Sequence, residues 1–309
     1  MNSMPRSVTY DIVHETKYTY SEPVAVCLNQ LRMRPQTRSP SVVCNQCTVT
    51  IEPVPAKVDT HPDYFGNVVD SFAIESHHES LVVKVASQVQ VNAINPFESP
   101  NIPTVAEVVH AIRTGQTEAD LFAKEYVFAS PRIPLAGHFA EYAKTIVNEG
   151  SSILDAVLQL TKHIHDDFRY DSTATDVSTT TQSAFELKAG VCQDFSHVQI
   201  ACLRSLGLPA RYVSGYLRTL PPPGKPRLIG NDESHAWISV YAGEALGWID
   251  FDPTNACQIG VDHIPVCVGR DYDDISPMRG IVLGGGHTTL AVKVDVAPVE
   301  LPTEVGPPA

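Results

Sequence analysis

Two stretches decide the fold: Gly190–Leu217, GVCQDFSHVQIACLRSLGLPARYVSGYL, and Ser234–Asn255, SHAWISVYAGEALGWIDFDPTN. The first reads as a helix beginning at Cys192 and stopping at Gly207, with Pro209 just beyond, followed by a strand. The second reads as two strands joined by the turn GEALG. A helix leading into antiparallel strands indicates an α+β domain. Working outward, Ser151–Asp167 keeps apolar residues at helical spacing (Ile153, Val157, Leu160, Ile164, Phe168), and residues 104–150 also look helical. Residues 95–104, NPFESPNIPT, read as a linker. Before them, residues 7 to about 94 are β-branched runs divided by turn signals at Ser21-Glu22-Pro23, His61-Pro62-Asp63 and Phe65-Gly66-Asn67. In the first run Tyr10, Ile12, His14, Thr16, Tyr18 and Tyr20 share a face. The expected organisation is therefore an all-β, sandwich-like domain over residues 1–100. A catalytic domain over 101–298, with a helical entry at 104–168, and a disordered tail at 299–309 follow it. TTLAVKVDV forms one late strand.

Composition narrows the function. The chain has 309 residues with 22 Lys and Arg against 35 Asp and Glu, a net charge of −13. That balance argues against a nucleic-acid surface, which needs clustered basic residues. The opening MNSMPRSVTYDIVH lacks the apolar run of a secretory signal, and no stretch approaches a membrane span. A cytoplasmic protein with no nucleic-acid or membrane partner is expected. Seven cysteines in such a chain read as reduced thiols. Cys44-x-x-Cys47 has zinc-like spacing but no second ligand pair follows it, so no metal is expected there. The acidic run Gly269–Asp274, GRDYDD, lacks the alternating ligands of a calcium loop.

Cys192 stands at the first turn of its helix, where unpaired N–H groups and the dipole favour a thiolate. Gly190 just before it permits close approach of a substrate backbone. Cys202 instead falls with Phe195, Val198 and Leu206 on the apolar stripe and reads as core. His197 is turned about 140° away from Cys192 and about 7.5 Å up the helix, so it reads as a packing histidine. Asp194 suits the first turn without a catalytic role. The base is sought on the strands. His235 shares a strand face with Trp237, Ser239 and Tyr241, while Trp248, Asp250 and Asp252 share one on the next strand. If Tyr241 faces Trp248, His235 falls opposite Thr254, and Asp252 rather than Asp250 becomes its diagonal neighbour. Cys192 as nucleophile, His235 as base and Asp252 as the group orienting the base form the expected triad.

These residues resemble the core of the transglutaminase-like superfamily, and in particular a bacterial branch assigned as cysteine proteases with its own N-terminal β domain. The likeness extends to YDIVHETKYTYSEPV (10–24), DYFGNVVDSFAI (63–74), GRDYDDISPMRG (269–280) and LAVKVDV (290–296). It implies a papain-like α+β core. Its G-x-C, H-A-W and D-P-T motifs place the family triad on Cys192, His235 and Asp252. Animal transglutaminases hold the oxyanion partly through a tryptophan upstream of the cysteine. Here Trp237 and Trp248 both lie downstream, which favours hydrolysis of a peptide or amide over transamidation. The backbone N–H of Cys192 is the expected oxyanion donor, with Tyr170, Gln193 and Asp250 as candidate supports. No cofactor is expected. The alternatives are protein-glutamine transamidation and a non-catalytic peptide-binding module. The Pro-rich loop 221–233 reads as a solvated connector or a gate.

Overall fold

A computed structural model describes residues 7–38, 40–219 and 233–299. The expected tail, apart from Val299, and nearly all of the Pro-rich loop lie outside the described residues.

The chain opens with β1 (Ser7–Leu31), β2 (Val42–Glu52), β3 (Val58–Pro62), β4 (Val68–Ile74) and β5 (His78–Asn92). They form one antiparallel sheet in the order β2-β5-β1-β4-β3. The long β1 organises it. Its first half pairs with β5, its second half pairs with β4, and a register shift between Thr19 and Val24 lies where the sheet turns over. Bulged strands bend in this way. The folded sheet encloses its own core, in which Tyr20, Val24, Leu31, Phe72, Leu81 and Val83 pack together. Tyr10, Ile12, His14, Thr16 and Tyr20 are buried, as period-2 alternation predicts, and Tyr18 is partly so.

Next come α1 (Val105–Thr114), α2 (Glu118–Ala123), α3 (Gly137–Lys144), α4 (Ile153–Asp167), β6 (Arg169–Tyr170), α5 (Thr181–Leu187), β7 (Ala189–Gly190) and α6 (Cys192–Ser205). The caps are legible. Thr104 and Glu107 form a capping box on α1, and Ser152 accepts from the Asp155 N–H at the start of α4. The central helix is α6, with every residue from Gln193 to Arg204 buried. It ends as its glycine foretells. Gly207 adopts φ +82°, the Leu208 N–H donates to the Leu203 carbonyl at 3.0 Å, and that of Gly207 to Arg204 at 2.9 Å. That is a Schellman stop.

β8 (Ala210–Leu217), β9 (Glu233–Tyr241), β10 (Trp248–Asp252), β11 (Cys257–Gln258) and β12 (His263–Gly269) build a second antiparallel sheet, ordered β11-β10-β9-β8-β12. Ala210, Tyr212, Ala236, Ile238 and Val240 join α6 in the main core. Val213 and Trp237, on the alternate positions, pack with Val268 and Phe65, so the N-terminal domain covers this sheet's other face. After α7 (Tyr272–Ile275), β13 (Met278–Gly284) and β14 (Thr288–Pro298) return to pair with β1. This corrects the expected domain limits. Residues 278–298 complete the N-terminal sheet instead of closing the 101–298 domain, because β1 leaves free backbone that only a distant strand satisfies.

Candidate active site

The site is assembled from the mouth of α6 and the open end of the β9–β10 hairpin. At α6 the Asp194 carboxylate turns back to accept from the Val191 N–H at 2.8 Å, and Thr175 Oγ1 donates to the same oxygen at 2.7 Å. A Cβ on Gly190 would lie 2.3 Å from that carboxylate, so glycine makes room for this cap. Asp194 is thus structural, as expected, and burial pushes its carboxyl pKa up. The first N–H groups of a helix have no intrahelical acceptor. With that of Val191 capped and that of Asp194 bonded to the Val191 carbonyl at 2.9 Å, those of Cys192 and Gln193 stand at the mouth. Cys192 is partly exposed.

In the hairpin, Trp248 pairs with Tyr241 and Asp250 with Ser239, the register anticipated from the sequence. Its continuation sets Asp252 diagonal to His235, whose Nε2–H donates to Asp252 Oδ2 at 2.8 Å. The carboxylate can only accept, which fixes Nε2 as the donor and leaves Nδ1 for the thiol. The Cys192 side chain acts on the same ring and is among the groups that raise its pKa. Burial alone would lower the His235 pKa. The interactions with Asp252 and Cys192 more than offset it and raise the value to about 10.

Asp252 is fully buried and densely held. Its Oδ1 accepts from the backbone N–H groups of Thr254 at 2.9 Å and Asn255 at 3.2 Å, an Asx turn over Pro253. Its Oδ2 also accepts from Asn255 Nδ2 at 2.7 Å and from His263 Nε2 at 2.9 Å. Burial would raise its pKa, but the two histidines hold it far below the usual carboxylate range.

Asn255 and His263 were not singled out in the sequence. Asn255 had a local signal, three residues beyond Asp252 in a turn. His263 had none, since β12 is buried along its whole length and shows no alternation. Among the described residues, His235, Asp252 and His263 are the three ligand-type side chains close enough to hold a metal, their atoms lying within 4.8 Å. Those atoms already satisfy one another through hydrogen bonds of 2.8 and 2.9 Å.

The other candidates separate. Asp250 Oδ2 accepts from Trp237 Nε1 at 2.9 Å, one diagonal further along the hairpin and away from His235. This corrects its expected place as an oxyanion support, because a carboxylate facing an indole N–H has no proton to offer a developing anion. Tyr170 is half-exposed and lies in parallel register with Gly190, two residues before Cys192. The Gln193 side chain is buried in the first turn of α6. His197 packs against the Tyr212 ring, accepts from the Tyr272 N–H at 3.3 Å, and is driven by burial to a pKa of about 3. Cys202 is buried, with its thiol pushed up to about 12. GRDYDD forms caps and an ion pair: Asp271 accepts from the Asp273 and Arg132 N–H groups, and Arg270 bridges to Asp274 at 2.9 Å.

Residues 10–90 match the family model described as the bacterial transglutaminase-like N-terminal region, and residues 140–253 match the transglutaminase-like superfamily. An uncharacterized protein of Mycobacterium tuberculosis is 35% identical over 304 residues, covering 96% of each chain. Another, from Mycobacterium leprae, is 31% identical over 290 residues, covering 92% of this chain and 97% of its own. A protein-glutamine gamma-glutamyltransferase of Pseudomonas aeruginosa is 28% identical over 122 residues, covering 39% of this chain and 18% of that one. Among solved structures, a protein of Cytophaga hutchinsonii provisionally assigned as a cysteine protease superposes with a TM-score of 0.74 at 18% identity, covering 97% and 93% of the two chains. That likeness is one of fold.

Proposed function

Because the chain belongs to the transglutaminase-like superfamily, we propose that it is a cysteine enzyme that cleaves amide bonds by acyl transfer to water. The observation carrying this reading is the placement of His235 between the Cys192 thiol and the Asp252 carboxylate. In the proposed reaction the Cys192 sulfur, its proton held by His235, bonds to the amide carbonyl carbon. The N–H groups of Cys192 and Gln193 face the developing oxyanion. The C–N bond then breaks, and the departing amine takes the proton from His235. Water, losing a proton to His235, attacks the thioester; the acid leaves and the thiol is restored. Asp252 keeps the imidazole in the tautomer and orientation these transfers need.

The test is intact-mass analysis of the full chain after incubation with a panel of short amide-bearing peptides, with and without methylamine. An acyl adduct on Cys192 together with free acid in both conditions supports hydrolysis. Undiminished turnover by Cys192→Ala overturns the mechanism. Transamidation is the second reading, favoured by the local match to the Pseudomonas transferase. It would appear as methylamide replacing the free acid.

A further inference from the structure

A cavity of about 450 Å³ lies where β2, β5 and the linker meet the face of the second sheet turned away from α6. Cys192 is not part of its wall. Arg38, from the N-terminal domain, and Arg211, from β8, both line it. The Nε of each is shielded from solvent and has no hydrogen-bond partner among the described residues. Neither guanidinium has a carboxylate within ion-pairing distance among those residues, although burial and their mutual repulsion oppose holding both charged. The one acidic side chain in the wall, Asp250, is occupied by Trp237 Nε1. It is one acidic group against two guanidinium groups in the wall, with Asp63, outside the wall, also acting on Arg38. The rest of the lining suits an organic body: Trp248, whose indole lies 4.2 Å beneath the Arg211 guanidinium, and Ile259 are both there. Arg38 Nη2 donates to Asn67 Oδ1 at 3.4 Å and to the Val266 carbonyl at 3.3 Å, yet with no ion-pairing carboxylate for either guanidinium among the described residues the wall carries an excess of positive charge suited to an anion. The volume falls in the ordinary range for small-molecule sites.

From this arrangement we infer that the interdomain cavity binds an organic monocarboxylate with an apolar or aromatic body, its carboxylate held between Arg38 and Arg211. The site is distinct from the proposed nucleophile. None of the triad residues lines it, but His263 does, and His263 bonds Asp252.

The experiment is a titration of the full chain with 4-phenylbutyrate, followed by quenching of tryptophan fluorescence and by thermal shift. The isosteric alcohol 4-phenylbutan-1-ol and inorganic phosphate are the comparison arms. The inference requires saturable binding of the carboxylate, at least tenfold weaker binding of the alcohol and of phosphate, and at least tenfold weaker carboxylate binding in both Arg38→Met and Arg211→Met. Arg38→Met also loses the bonds to Asn67 and to the Val266 carbonyl, so the melting temperature of each unliganded variant is measured beside its binding. A variant that does unfold is replaced by Arg→Gln at the same position. No saturable binding, equal binding of the alcohol, equal binding of phosphate, or binding unaffected by the arginine variants overturns it. Activity is not the readout, so failure here leaves the proposed acyl transfer standing, and the reverse also holds.

Discussion

His235 reaches Asp252 along a strand diagonal at 2.8 Å, and the same diagonal recurs two residues further on, where Trp237 reaches Asp250 at 2.9 Å. Two chemically identical carboxylates thus occupy equivalent positions on one strand face. What separates them is the strand end. Asp252 sits where β10 gives way to the turn, so it collects backbone donors and two histidines, while Asp250 faces an indole and the interdomain cavity. Asp252→Asn is therefore expected to cut kcat/KM by about 10³–10⁴-fold through the wrong imidazole tautomer, as in other triads. Asp250→Asn should change it less than about threefold while lowering stability by about 1 kcal/mol for one weakened hydrogen bond. Steady-state kinetics on a reporter amide with both variants checks this, and equal losses would contradict the assignment.

In the proposed reaction His263 is a positioning residue, acting on His235 chiefly through the carboxylate they share. His263→Phe removes one charge-assisted hydrogen bond from Asp252, worth about 1.5–3 kcal/mol. The expected loss is about 10–100-fold in kcat at nearly unchanged KM. A purely structural role would lower Tm and the active fraction without altering the pH profile. Here the profile itself should move, because Asp252 answers to both rings.

The hairpin was legible because strand parity and one assumed pair, Tyr241 with Trp248, propagate to every later contact. The start of α6 was legible from glycine, cysteine and an acidic third residue, and its end from Gly207. What stayed hidden depends on distance in the chain. β12 carries His263 in a strand with no exposed face and with Pro265 inside it, so neither alternation nor propensity marks it. The return of β13 and β14 to β1 joins residues far apart in the chain, such as Tyr20 and Thr288, and nothing local encodes that partner. Arg38 and Arg211 stand 173 positions apart, and nothing local to either marks the cavity they share.

The raised pKa of His235 sets the direction of the activity profile. In the proposed reaction the imidazolium protonates the leaving amine and is lost only as pH rises toward about 10, so the basic limb of kcat/KM is expected well above neutrality. Removing the Asp252 charge takes away the first of the interactions that raise it, and burial then pulls the value down. In Asp252→Asn the residual basic limb should fall by at least one pH unit. A limb that stays in place would show that the carboxylate does not hold the imidazolium.

Stability has its own pH dependence, and two other histidines dominate its acid side. Burial depresses His14 to about 4 and His197 to about 3. Groups lowered in the folded state contribute stability that is complete above the unfolded value near 6.5 and lost as pH falls toward the folded value. For His14 the full contribution is about 3 kcal/mol. His235 has the opposite sign: its share is complete below about 6.5 and fades as pH rises through about 10. The melting temperature should therefore fall steadily from pH 6.5 to pH 4, and His197→Leu should flatten that slope. A melting temperature independent of pH across this interval would refute the buried neutral state.

Asn67 ties the N-terminal domain to the strand that carries His263. It is wholly buried, its Oδ1 accepts from the Val268 N–H at 2.8 Å, and its Nδ2 donates to the Val268 carbonyl at 2.8 Å. The side chain thus imitates a neighbouring strand along the outer edge of β12, and Asp63 holds it from behind at 3.0 Å. Asn67→Ala leaves a buried backbone donor and acceptor together without partners, at a cost of about 2–4 kcal/mol. Asn67→Asp keeps the shape but presents a carboxylate to the Val268 carbonyl, and should be worse than alanine. Asn67 bonds Arg38, Asp63 and Val268 and none of the triad residues, so the expected signature is a lower melting temperature with kcat/KM per folded molecule reduced less than about tenfold. If either variant melted within about one degree of the parent, other contacts would have to hold the two domains together, such as His14 on the Tyr216 hydroxyl, Arg38 on the Val266 carbonyl and Phe65 packed on Val213 and Trp237.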